Sequence, residues 1–330
     1  YLIPYHSFAS SKVLAALLHK HIKVRYAEKA FTAGGKQYEA GTLIVLKTSN
    51  QDNWSAETKA ICDAANIEAI PVASGYAEKG ADFGSPDVKI ISHAPKVALL
   101  TGDNVGALAA GEVWSFFEQQ LNYPITQLNY SFFNRIDINK YDVIIAPEGA
   151  YKDLATKAVS DKLQAFVRKG GVFIAFESAA QQLAANTEWG IKVKELPKAD
   201  NVDVNNVAKY GESVTNFLRS SIPGAIYKVY MDNTHPIGYG TEGIYYDLKQ
   251  DIVTYEPSAQ SWNVGVIKKD SYVAGFAGIK AKAALQEGVV IGVKEMGAGK
   301  LVFMADDPIF RNFWEGGKLV LSNAIFFNGK

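Results

Sequence analysis

Three short runs, residues 97–100, 141–146 and 172–176, carry almost nothing but apolar side chains. Each stops at a turn rich in glycine, proline or acidic residues, around Gly102 to Gly106, Pro147 to Gly149 and Glu177. Each is followed by a stretch with helical spacing: Val113, Phe116, Phe117 and Leu121 on one face, then 152–168, then 178–185. Strands apolar on both faces must be covered on both faces, and crossover helices do this when strands run parallel. With a further strand at 124–128, the order predicts an α/β fold with a mostly parallel, doubly wound, flavodoxin-like sheet.

A smaller α/β unit is expected before it, over residues 1–94. Ser10 and Ser11 precede the helical stripe Val13, Leu14, Leu17 and Leu18. Strands are expected at 22–26, 40–45 and 67–72, a glycine turn within 31–38 and a helix at 55–65. Residues 80–86 have linker composition, which places the boundary near Pro95. Within 95–330, residues 196–240 read as irregular with one helix at 213–220. Extra strands follow at 244–248, 252–255, 263–267 and 289–293, then a buried strand at 301–305 and a helix at 319–327.

The chain has 34 Lys+Arg and 34 Asp+Glu, so no net field draws it to nucleic acid or an anionic surface. No run reaches the roughly 18 apolar residues of a membrane span. The single cysteine, Cys62, cannot form an intrachain disulfide and reads as a packed helical residue. None of the histidines, His6, His19, His21, His93 and His235, has Glu three residues later, so no metal site is expected. Gly102, Gly106 and Gly111 miss the dinucleotide-binding spacing.

The junction after residue 176 is the most informative place for chemistry. A tight strand-to-helix turn can present a nucleophile, but only if the residues two before and two after are small. Centred on Glu177 these are Ala175 and Ala179, both small; centred on Ser178 they are Phe176 and Ala180, and Phe176 fits poorly. The apex is therefore expected to be a carboxylate. Asp306 and Asp307 close a strand where α/β crevices lie, or cap the following turn. His235, beside Pro236, either faces a cleft or completes a structural turn.

Residues 96–182 resemble a class I glutamine amidotransferase domain. Asp142-Val-Ile-Ile-Ala-Pro-Glu-Gly149 matches the strand and turn bearing that family's oxyanion glycine, which assigns an oxyanion-like turn to Glu148 and Gly149. Gly170-Gly171-Val-Phe-Ile-Ala-Phe-Glu177 matches its cysteine elbow, with Glu177 in place of the cysteine. Met304-Ala-Asp306-Asp307-Pro308 has aspartate where the family's histidine is expected, so glutaminase activity is not. A wider match covers nearly the whole chain. Glu112-Val-Trp-Ser-Phe-Phe-Glu-Gln-Gln-Leu-Asn-Tyr-Pro124, Thr234-His235-Pro236-Ile-Gly-Tyr-Gly240, Gly299-Lys-Leu-Val-Phe-Met-Ala-Asp-Asp-Pro308, Phe310-Arg311-Asn-Phe-Trp314 and Ser322-Asn323-Ala324 resemble the C-terminal region of bacterial zinc carboxypeptidases.

That resemblance implies a non-catalytic accessory region, structural or regulatory, beside an upstream peptidase domain that holds the zinc. It also implies a periplasmic or secreted setting; the start at Tyr1 reads as a cut from a longer chain. No cofactor is expected in these residues. Aromatic clusters at Trp114, Phe116 and Phe117 and at Phe310, Phe313 and Trp314 are expected to be core, with part forming a docking face; exposing that face would favour a homodimer. The alternatives are an independent hydrolase using Glu177, His235 and Asp306 or Asp307, or a peptide- or glycan-binding module at the same crevice.

Overall fold

In a computed structural model, which describes residues 1–195 and 209–328, two sheets divide the chain. The first is antiparallel and four-stranded, in the order β1 (Leu2–Ile3), β5 (Leu43–Ile44), β2 (Val24–Ala27), β6 (Val88–Ile91). Helices α1 (Phe8–His19) and α2 (Trp54–Ala64) and the hairpin of β3 (Phe31–Ala33) and β4 (Lys36–Tyr38) complete this unit. The stripe Val13, Leu14, Leu17 and Leu18 is buried. The strand expected at 67–72 is absent. Only Ile70 bridges Leu2, because Pro71 has no N–H to continue a ladder. β6 was not anticipated behind the linker-like 80–86.

The second sheet has nine strands in the order β12-β11-β13-β14-β15-β10-β9-β7-β8. Its parallel half is β7 (Val97–Thr101), β8 (Ile125–Asn129), β9 (Val143–Ala146), β10 (Val172–Phe176) and β15 (Gly299–Met304). Helices α3 (Ala107–Ser115), continued by a π-helical turn to Leu121, α4 (Lys157–Arg168), α5 (Ser178–Ala184) and α8 (Glu315–Phe326) accompany it. Numbered within this half, the strand order is 2-1-3-4-5, the flavodoxin-like arrangement. The expected α/β, doubly wound fold is therefore present. Beyond β15 the sheet continues antiparallel through β14 (Val289–Met296), β13 (Trp262–Phe276), β11 (Gly224–Met231) and β12 (Ile244–Lys249). Helices α6 (Ser213–Ser220) and α7 (Ile279–Leu285) flank this extension.

Several expected bounds change. α4 starts at Lys157 rather than 152, and α8 starts at Glu315, a turn before 319. Residues 252–255 form no strand; Tyr255 alone bridges Val193 and Val289, and the Val253 carbonyl, which a ladder would use, accepts from the Lys249 ammonium at 2.7 Å. Within 196–240, expected to be irregular, β11 is a regular strand with alternate residues buried; residues 196–208 lie outside the described residues. α7 was not anticipated.

Sheet membership changes between Ile91 and Val97, yet one apolar core runs through both units. Buried Asn323 of α8 locks them together. Its amide donates to the carbonyls of Ile237 at 2.9 Å and Tyr239 at 2.8 Å, and its Oδ1 accepts from the Tyr5 hydroxyl at 2.8 Å. Rings of Tyr26, Tyr239 and Phe327 pack beside it. Asn323→Ala strands two carbonyls and weakens the hold on a phenol, so chemical denaturation is expected to show a loss of about 2–4 kcal/mol; a change below ~0.5 kcal/mol would contradict this role.

Candidate functional site

In a flavodoxin-like sheet, ligands bind beyond the carboxyl ends of the strands, where successive connections diverge. Here that switch point lies between β7 and β9. A cleft of about 740 Å³ opens there, lined among others by Asn104, Gly106, Glu148, Tyr151, Ser178 and Gln182. Its floor is closed by backbone: Val105 bridges Gly149, and the Gly106 N–H donates to Glu148 O at 2.8 Å. A Cβ on Gly149 would lie 2.6 Å from Asn104 O, so only glycine lets the loops meet.

Next to this floor β10 turns into α5 within one residue. Glu177 takes φ 50° and ψ −131°, a conformation costly for a side chain-bearing residue. Ala175 and Ala179, the small flanks expected for a Glu177 apex, are fully buried. Ser178 points to the neighbouring loop: its Oγ accepts from Gly149 N–H at 2.9 Å and donates to Gly149 O at 2.9 Å. Gln182 Nε2 also donates to Gly149 O, at 2.7 Å. The oxyanion-like N–H and the only hydroxyl at the elbow are thus spent on each other.

Burial raises the Glu177 carboxyl to about 7, with the charge of Glu148 adding to it. Asp306 and Asp307 sit one strand over, beyond β15. Burial, then a hydrogen bond with Glu112, pushes Asp307 up to about 9, while the Ile309 N–H donates to it at 2.9 Å. Asp306 pairs with the buried Lys249 at 2.8 Å and lies against Asp247. Burial and Asp247 raise it well above the carboxylate range. Burial opposes the charge on Lys249, but Asp306, Asp251 and Asp247 outweigh it and hold the ammonium protonated. Burial raises Asp247 as well, against the pull of Lys249, so both aspartates are pushed towards their neutral forms beside one cation.

His235 does not join this group. Lys300, at the amino end of β15, is the charge nearest it in effect, whereas Asp306 follows the carboxyl end, roughly 20 Å along the strand. Its Nδ1 accepts from Ile237 N–H at 3.2 Å, capping a short turn. Burial, aided by Lys300, lowers it to about 4, so it is a neutral structural residue. Cys62 is buried and its thiol is pushed up to about 11, chiefly by burial. Among the described residues no three His, Cys, Asp or Glu side chains are placed to hold a metal ion, so a zinc ion does not fit here.

Sequence reasoning overlooked Glu112, Asp247, Lys249 and Gln182. Asp247 and Lys249 left a signal: they share a face of β12 with Tyr245, and that face is buried. Two charges at inward positions of an otherwise apolar strand call for a partner.

Fold and site together define a flavodoxin-like α/β protein whose strand-to-helix elbow carries a carboxyl. No protein-family model matches the chain, and no curated protein matches it. Among solved structures it is similar to a ThuA-like protein from Parabacteroides merdae, at 10% identity and TM-score 0.46, covering 71% of this chain and 89% of that one. A GMP synthase component from Thermoplasma acidophilum gives 10%, 0.44, 71% and 94%. A glutamine amidotransferase from Thermotoga maritima gives 11%, 0.40, 64% and 75%. The fold assignment rests on the strand order and register above.

Because the folded chain binds the Glu177 proton more tightly than the unfolded one, stability falls as pH rises from 4.5 towards about 7. Glu177→Gln removes that penalty. It is expected to melt higher than wild type at pH 8, by about 2 kcal/mol, with the gain gone at pH 4; a gain independent of pH would contradict it.

Proposed function

We propose that this chain is a catalytically silent, amidotransferase-like accessory region that packs against a hydrolytic domain, a zinc carboxypeptidase in the reading its motifs favour. The observation that carries the silent part is the elbow: a carboxyl at the apex, with Ser178 and the Gly149 N–H bonded to each other. Acyl transfer needs an activated nucleophile and a free donor for the oxyanion. At the elbow the Ser178 hydroxyl and the Gly149 N–H are engaged with each other, and the position after β15 that could present a base carries Asp306 and Asp307. The zinc would be held by residues of the partner domain, whose periplasmic or secreted setting belongs to the same proposal.

The accessory role draws support from α6. Val214, Phe217 and Leu218, at i, i+3 and i+4, form an apolar stripe, yet all three are exposed and no residue of the helix is buried. α6 rests on the start of α7, where the Gly278 N–H donates to Ser221 O at 3.0 Å, but this stripe is left open to solvent, as expected of a docking surface. Phe313 and Trp114, from the aromatic clusters expected to be partly a docking face, are exposed as well, whereas Phe116 and Phe117 are core.

A second reading, an independent hydrolase or a peptide- or glycan-binding module, draws on the near-neutral Glu177 carboxyl beside an open cleft. The two separate experimentally. The chain alone is expected to show no activity on amide, ester and glycoside panels, and turnover abolished by Glu177→Gln would overturn the silent reading. In the full precursor, replacing Val214, Phe217 and Leu218 by serine is expected to lower the melting temperature of the peptidase domain or shift its KM; unchanged melting and kinetics would count against docking through α6.

A further inference from the structure

The amino-terminal sheet holds a second pocket, far in sequence from the elbow. It has a volume of about 480 Å³ and is lined by Lys23, Arg25, Thr48, Ser49 and Ser92, with Leu46 and Ile90 as apolar walls. Lys23 and Arg25 stand two residues apart, so they emerge on one face of the β2 segment. Arg25 pairs with Ile90 across the ladder to β6, and Ser92 lies two residues beyond Ile90 on that same face.

The third wall, the short turn Lys47–Ser49 after β5, is fixed to β2 through Asn50. The Asn50 Oδ1 accepts from the Lys23 N–H at 2.7 Å, while its amide donates to Lys23 O at 3.2 Å and Leu46 O at 2.9 Å. The walls are thus set by hydrogen bonds from the Asn50 side chain to the backbone before any ligand arrives, which lowers the ordering cost of binding.

The electrostatics of the pocket are one-sided. Arg25 is half-buried and donates one N–H, through Nη1, to Phe83 O at 3.3 Å. A guanidinium has five donors in a fixed fork. Among the described residues neither Arg25 nor Lys23 has a carboxylate within ion-pair distance, and no acidic residue lines the cavity. In a chain whose charges balance, two cations share a built pocket with three hydroxyl-bearing residues; the Ser92 hydroxyl already meets His93 Nδ1 at 2.9 Å.

We propose that this pocket binds the oxyanion group of a small organic ligand, a phosphomonoester or a carboxylate. Arg25 supplies a planar fork, Lys23 a point charge, and Thr48 and Ser49 donate hydroxyls. Leu46 and Ile90 receive the ligand's apolar part. The site is independent of the elbow and of any peptidase activity.

The test uses the whole chain and three sodium salts at equal ionic strength: phosphate, acetate and chloride. Saturable binding of phosphate or acetate is expected by calorimetry, with a matching rise in melting temperature that chloride does not give. A phosphate response alone assigns the phosphomonoester class, and an acetate response alone the carboxylate class. Arg25→Gln and Lys23→Gln are each expected to weaken binding at least tenfold. Arg25→Lys, which keeps the charge and loses the fork, should fall between. Circular dichroism identifies any variant that fails to fold, and the other two variants then decide. Equal responses to all three salts, or undiminished binding by folded variants, would overturn the site.

Discussion

The molecule is organised by one backbone reversal. β10 runs in parallel register with both neighbours, Ala175 opposite Ala146 and Phe176 opposite Met304. The N–H of Glu177 still donates to Met304 O at 3.0 Å, yet α5 begins at the next residue. One residue must absorb the whole change of direction, and the φ of 50° at Glu177 is the result. Such strain costs on the order of 1–3 kcal/mol and persists only where its surroundings over-determine it. Here they do: the ladder fixes one side, Ala179 packs the other, and Ser178 is tied to Gly149. The same reversal lifts a carboxyl into low dielectric among other acids.

The second organising feature is the buried charge group beyond β15. Lys249 comes from the outermost strand of the antiparallel extension, so its bond to Asp306 folds that extension back onto the parallel half. Removing one partner of such a pair leaves an uncompensated buried charge and is strongly destabilising. Asp307 is held separately by the Ile309 N–H and Glu112. Through its charge Asp307 also feels Glu177, so the buried acids beyond β15 and the elbow form one electrostatic neighbourhood.

Much of this was legible in the sequence where local physics decides. The apolar runs of β7, β9 and β10 announced a sheet covered on both faces, and Ala175 and Ala179 placed the apex at Glu177. What escaped depended on distant partners. Pro71 ended a strand that Ile67 and Ile70 suggested. β11 alternates buried and outward residues, but its tyrosines and lysine obscured the pattern. The local turn at His235 left both a cleft-facing and a structural reading open, because its place at the opposite end of β15 depends on how four antiparallel strands pair. The bond from Lys249 to Asp306 joins residues 57 apart in sequence, so the inward charges of β12 signal that a partner is needed without saying which residue it is.

The central claim is that the elbow holds a desolvated carboxyl in a fixed corner. The direct measurement is the titration of the Glu177 side-chain carboxyl by carbon-13 NMR, assigned by comparison with Glu177→Gln. A midpoint near 7 is expected; a midpoint near the ordinary 4.5 would mean that the side chain lies in water and that the corner is not built as described.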